Sequence, residues 1–298
     1  MTALGSNHTL TLPDGRSMDY WDGGDPDGRP LVFQPGTPSG RAQGKLMHHE
    51  AVAAGLRVLS ISRPGYGAST RTPPGLASVG ADAAALAGAL GLGSYAVLGA
   101  SGGGPFAVAT AVADPEHVTV LGIASGVGLW PLLSEPDEAS AEERGFLATA
   151  EGGDIDGALA AYTAAAQRDL GSLLALDDDG MVRAFLSGAF PPDSPRLSDA
   201  EFMAIWAEDL RESLHSFDGY ARDNLSWGCR WDSDPRNVHV PALLWYGDVD
   251  PVCPPAHGEW LAEQIPRSRL TIRQGEGHGQ AIMDHWAHVF SEILAVWH

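Results

Sequence analysis

The chain has 298 residues, 44% of them hydrophobic and nine of them tryptophan, enough for a large packed core and too apolar for a disordered chain. Its formal net charge is −20 with Lys45 the only lysine, a field that repels phosphate backbones and disfavours a nucleic-acid partner. No apolar run approaches the roughly 18 residues that a membrane span needs, and the opening MTALGSNHTLTLPDG has neither the basic nor the apolar region of a secretory signal.

In chain order, residues 8–12 and 17–21 alternate polar and apolar around PDG, predicting an antiparallel hairpin at a sheet edge. PLVFQ at 30–34 predicts a buried strand ending in the turn PGTPSG, followed by a helical stretch near 40–54. A strand at 57–62, the loop RPGYGAST, a small-residue helix at 79–91 and a strand at 95–99 come next. A helix from Pro105 and a strand at 118–124 complete this half. Strands alternating with helices through short glycine-rich loops predict a mostly parallel sheet covered on both faces.

From about residue 130 to 235 strand-like runs vanish, and helix-like segments appear at 137–151, 154–170, 177–187 and 198–214. Aromatic residues are spread through them at helical spacing, mostly as core. The sheet pattern then resumes with a strand at 242–247, a helix at 256–265, a strand at 269–273 and a terminal helix from 279. The expected organisation is a core made of 1–129 and 236–298 with a helical insertion, 130–235, acting as a cap.

Between the fifth strand and its helix stands GASGG, a G-x-S-x-G turn around Ser101. So sharp a strand-to-helix reversal leaves no room for side chains beside the serine. Alone, the pattern also fits a glycine-rich turn whose serine caps a helix. A serine nucleophile needs a base and a carboxylate to orient that base. YGDVDP places Asp248 and Asp250 just past a strand, and GEGHG places His278 after the next one. His257, His285 and His288 fall in helix-like sequence, the last two suiting a helix surface rather than a ligand pair. No Cys/His cluster has metal-ligand spacing, so no metal or cofactor is expected. Cys229 and Cys253 fit a reduced cytoplasmic interior better than a disulfide framework.

The GASGG turn, GDVDP, GEGHG and the loop SRPGYGAST, in this order, resemble the α/β-hydrolase superfamily over nearly the whole chain. The resemblance implies an α/β-hydrolase fold with a helical cap and a triad of Ser101, His278 and Asp250. Asp250, three residues after Gly247, takes the acid's place, leaving Asp248 to bond loop amides. It also implies an oxyanion hole from the backbone amides of Thr37 and Gly102. Pro35 stands where relatives usually carry histidine, so the loop must be tethered by something else, with Gln34 the candidate.

A serine at the elbow argues against epoxide hydrolases and haloalkane dehalogenases of this fold, which use aspartate there. The expected activity is hydrolysis of a small-molecule carboxylic ester through an acyl-enzyme. Lactone, amide and carbon–carbon bond hydrolysis share the apparatus. A proline-releasing aminopeptidase would need cap carboxylates for a free amino group, for which Glu201, Glu208 and Glu212 are candidates. A ligand receptor that keeps the fold without turnover is the alternative from another class.

Overall fold

A computed structural model describes residues 4–130 and 138–297. The predicted start of the first insertion helix, at residue 137, lies outside the described residues. Eight strands form one sheet: β1 (Ser6–Thr11), β2 (Ser17–Gly24), β3 (Arg29–Gln34), β4 (Leu56–Ile61), β5 (Tyr95–Ala100), β6 (Val118–Ala124), β7 (Ala242–Gly247) and β8 (Ser268–Arg273). Their order is β1-β2-β4-β3-β5-β6-β7-β8. β2 pairs antiparallel with β1 and with β4; every pairing from β4 to β8 is parallel. The hairpin forms where alternation predicted it, Gly15 supplying the positive φ its turn requires.

Side-chain alternation along the strands feeds two cores. Leu31, Phe33, Ala96 and Leu98 pack to one side with residues of α1 (His48–Ala54) and α11 (Trp286–Val296). Val32, Tyr95 and Val97 pack to the other with α2 (Leu76–Ala89), α3 (Gly104–Ala113) and α9 (Pro255–Gln264). Both faces being covered, β5 reads as an unbroken apolar run and is buried at every position.

Between β6 and β7 lie α4 (Glu138–Glu151), α5 (Ile155–Leu170), α6 (Asp178–Leu186), α7 (Ala200–Ser213) and α8 (Asp218–Gly228). Aspartates start three of them: Asp154 accepts from the Gly157 amide, Asp177 from Gly180, and Asp199 from Glu201 and Phe202. Each satisfies amide donors that a helix's first turn leaves unpaired. α8 escaped the sequence reading because its buried positions mix Asp223, Asn224 and Ser226 with Ala221, Leu225 and Trp227. A helix held by buried polar contacts lacks the apolar stripe by which helices are recognised. The insertion also reaches back to cap the core, since Asp232 accepts from the amides of Leu76 and Ala77 at the start of α2.

The single terminal helix expected from residue 279 is two, α10 (His278–Met283) and α11. Arg196 takes the Met283 carbonyl at 2.8 Å and the Asp284 carboxylate at 2.8 Å, ending α10 and redirecting the chain. Among the described residues no helix is long and apolar enough to cross a membrane.

Candidate active site

β5 delivers Ser101 at its C-terminal end with φ at +51°, in the left-handed region that non-glycine residues seldom adopt. Such a backbone costs of order 1–3 kcal/mol and survives only where its surroundings impose it. They do so here: a β-carbon at Gly103 would collide with the carbonyls of Gln34 and Pro35, and one at Gly102 with the Thr37 side chain. The two glycines therefore let the elbow press against the loop that follows β3.

His278, the first residue of α10, has Nε2 3.0 Å from Ser101 Oγ and Nδ1 2.7 Å from Asp250 Oδ2. The other Asp250 oxygen accepts from the amides of Val252 and Cys253, both at 2.8 Å. With the carboxylate accepting, Nδ1 carries the hydrogen and Nε2 is left to accept from the serine. Asp248 instead accepts from the Gly275 amide at 2.6 Å, pinning the β8–α10 loop. The structure thus brings Ser101, His278 and Asp250 together and leaves Asp248 outside.

His257, His285 and His288, the other histidines weighed in the sequence, are occupied elsewhere. His257 Nδ1 accepts from the Gly128 amide at 2.9 Å, and burial pushes its imidazole down to about 4, so it stays neutral. His285 pairs with Glu276 and His288 with Glu292. Neither cysteine is a thiolate: burial pushes Cys229 up to about 11 and raises Cys253 well above its ordinary value. No cluster of ligating side chains suited to a metal occurs among the described residues.

Thr37 and Gly102 meet beside Ser101, the Thr37 amide 3.4 Å from where a Gly102 β-carbon would stand. No described residue accepts a hydrogen bond from the Thr37 amide, while its hydroxyl donates to Asp223 Oδ2 at 2.7 Å. The expected tether, Gln34, is not the one used: its amide turns inward and donates to Thr110 Oγ1. Arg63 and Gln43 hold the loop instead. Arg63 donates to the carbonyls of Pro35 (2.7 Å) and Gly36 (2.8 Å), and Gln43 Oε1 accepts from the Gly36 amide at 2.6 Å.

Arg63 itself is 1% exposed and lies in a bidentate pair with Asp223 of α8, which also accepts from the Tyr66 hydroxyl at 2.9 Å. Burial works against the guanidinium's charge, but the Asp223 carboxylate outweighs it and holds Arg63 above its usual range. Phe106 packs against the guanidinium, 4.6 Å from its ring centre. Arg63 was visible in sequence only as part of RPGYG, and Asp223 carried no signal at all.

A cavity of about 180 Å³ opens over Ser101 and His278. Phe185 and Leu186 of α6, Trp206 of α7, and Ile282 and Met283 of α10 give it apolar walls. Glu201, Glu208 and Glu212 do not line it: they face His49, Lys45 and Arg41 on the core. One α7 carboxyl does turn inward. Asp209 accepts from the Gly40 amide at 3.0 Å, at the far end of the same loop. Burial raises it to about 7, opposed by hydrogen bonds from Ser39 and Gly40 and reinforced by Glu212 and Glu208.

The family model described as alpha/beta hydrolase fold matches residues 29–282. No curated protein matches the chain by sequence. Among solved structures, an esterase from Exiguobacterium antarcticum superposes with TM-score 0.69 at 19% identity, covering 97% of this chain and 98% of that one. An α/β hydrolase fold protein from Nakamurella multipartita gives 0.67 at 22% identity, covering 98% and 99%. The enol-lactonase from Burkholderia xenovorans LB400 gives 0.66 at 17%, covering 97% and 100%.

Removing Asp223 leaves the Arg63 cation buried without its partner, so Asp223→Ala is expected to lose about 3–5 kcal/mol in urea unfolding. A loss under about 1 kcal/mol would show that water or another carboxylate replaces it. Asp209 generates a pH dependence of known sign. Its carboxyl titrates near 7 when folded and at its ordinary value when unfolded, so its stabilisation is complete in acid and lost as pH rises from about 4 to 7. Asp209→Asn mimics the protonated form, and its stability relative to the parent should rise by about 2–4 kcal/mol over that interval, at roughly 1.4 kcal/mol per pKa unit. Thermal melts of both proteins at pH 4.5 and 8 measure the difference.

Proposed function

The chain belongs to the α/β-hydrolase fold family, and on that premise we propose that it is a serine esterase acting on small apolar carboxylic esters. The observation that carries this reading is the unbroken hydrogen-bonded series from Ser101 Oγ through His278 to Asp250. Ser101 Oγ attacks the ester carbonyl as His278 Nε2 takes its proton. The Thr37 and Gly102 amides receive the charge that develops on the carbonyl oxygen. His278 then returns the proton to the leaving alcohol, and a water activated the same way releases the acid. Asp250, fixed by two backbone amides, keeps the imidazole in the tautomer this requires and stabilises its charged form.

Residues 130–235 act as a cap that keeps bulk water from the cavity and shapes the substrate's surroundings. The apolar wall set by Phe185, Trp206 and Met283 supports a small uncharged substrate. The aminopeptidase reading loses its candidate amine ligands, since all three glutamates are paired outside the cavity with Arg41, Lys45 and His49. The free cysteines support a reducing, cytoplasmic setting.

Fluorophosphonate labelling of Ser101 and release of nitrophenol from short acyl esters test the reading against a non-catalytic receptor, which would show neither. Ser101→Ala should lose at least about a thousandfold in kcat, down to the residual from binding and the oxyanion amides. Turnover within tenfold of the parent would remove the serine from its role. Asp250→Asn should lose at least about a hundredfold, because the amide favours the wrong imidazole tautomer. Asp248→Asn, a loop contact, should lose less than about tenfold. The opposite ranking would transfer the acid's role to Asp248.

A further inference from the structure

Gln43 sits on the helical turn Arg41–Met47 after the β3 loop, 6% exposed, and lines the cavity beside Ser101. The way its carboxamide faces follows from chemistry. The Gly36 amide is a donor, so its partner at 2.6 Å is the carbonyl end, Oε1. The Nε2 end, with two N–H groups, finds no acceptor among the described residues. Nε2 is not sealed from solvent but keeps surface toward the cavity, so its unpaired N–H groups are open to an acceptor from outside the chain.

Its position says where that acceptor belongs. Gln43 Nε2 and the Ser101 β-carbon lie 3.4 and 3.5 Å from a single point, the place a Gly36 β-carbon would occupy. The donor therefore stands within a substituent's length of the serine. Sheet order then separates the two branches of an ester. β3, which leads to Gln43, lies on one side of β5, while β7 and β8, which lead to Asp250 and His278, lie on the other. The leaving alcohol must face His278 to receive its proton, which leaves the carbonyl oxygen, directed at the Thr37 amide, and the acyl branch on the Gln43 side.

We propose that Gln43 Nε2 is a specificity donor for the acyl group, selecting esters whose acyl chain carries a neutral oxygen on the α- or β-carbon next to the scissile carbonyl. An ether, keto or hydroxyl oxygen fits. A carboxylate does not, because no lysine or arginine lines the cavity to balance its charge. The inference rests on the esterase reading and adds a substrate class to it.

Ethyl methoxyacetate and ethyl butyrate differ only by an oxygen in place of a methylene, and they test it. The ratio of their kcat/KM values, divided by the ratio of their hydroxide-catalysed rates, is expected to favour methoxyacetate at least fivefold in the parent. In Gln43→Met the ratio should fall to near one. The substitution also removes the acceptor for the Gly36 amide and slows both esters, a loss that cancels in the ratio. No preference in the parent, or one that survives in Gln43→Met, overturns the inference while butyrate turnover leaves the esterase reading standing. A preference that follows the alcohol instead, 2-methoxyethyl over butyl butyrate, overturns the acyl assignment. If neither ester is turned over, both readings fall.

Discussion

Arg63 and Asp223 stand where water does not reach, and the carboxylate holds the guanidinium above its usual range. Taking two charges out of water costs several kcal/mol per ion, recovered only when geometry and further hydrogen bonds are good. Here both groups have further partners: two Arg63 donors go to the Pro35 and Gly36 carbonyls, and Asp223 accepts from Thr37 and Tyr66. The pair joins three segments far apart in sequence: the β3 loop, the β4 loop and α8 of the insertion. The position of Thr37 beside Ser101 follows from that junction.

Family relatives usually spend a histidine on this loop, and Pro35 has no donor to offer in its place. The replacement changes more than a side chain. An imidazole would hold the loop from within, whereas Arg63 and Asp223 hold it from two other elements. The loop's geometry then depends on the whole insertion being docked. Substitutions in α8, remote from the cavity in sequence, should act on the reaction through Thr37.

The legible parts of the site were those whose chemistry is local. The elbow had to be glycine two residues to either side of Ser101 because β-carbons at Gly99 and Gly103 would meet backbone, so GASGG announced it. Asp250 and His278 each follow a strand, and parallel order brings those strand ends together. Asp248 and Asp250 could not be separated by alternation alone; the structure separates them by giving one the Gly275 amide and the other the imidazole. The tether was misread because Gln34, adjacent to the loop, was an obvious candidate, yet strand alternation turns its side chain into the core toward Thr110. Gln43 and Asp223 are seven and 186 residues from the residues they bond in that loop, and no local pattern marks either. The partners of the three α7 glutamates were hidden for the same reason: a sequence shows that a helix is acidic, not which residues the core sets opposite it.

The β3 loop is gripped at both ends by aspartates of the insertion, Thr37 by Asp223 of α8 and Gly40 by Asp209 of α7. The two grips differ in kind. Asp223 is matched by a cation, while Asp209 meets only neutral donors and two nearby glutamates, so its charge is resisted. One end of the loop is therefore held by an ion pair, and the other by a carboxyl that titrates near neutrality. α7 also carries Trp206 into the cavity wall. A helix that both walls the cavity and holds the far end of the proposed oxyanion loop couples the shape of the pocket to the placement of the Thr37 amide. Repacking α7 to admit a larger substrate should thus alter kcat as well as KM, because the loop and the wall move on the same helix.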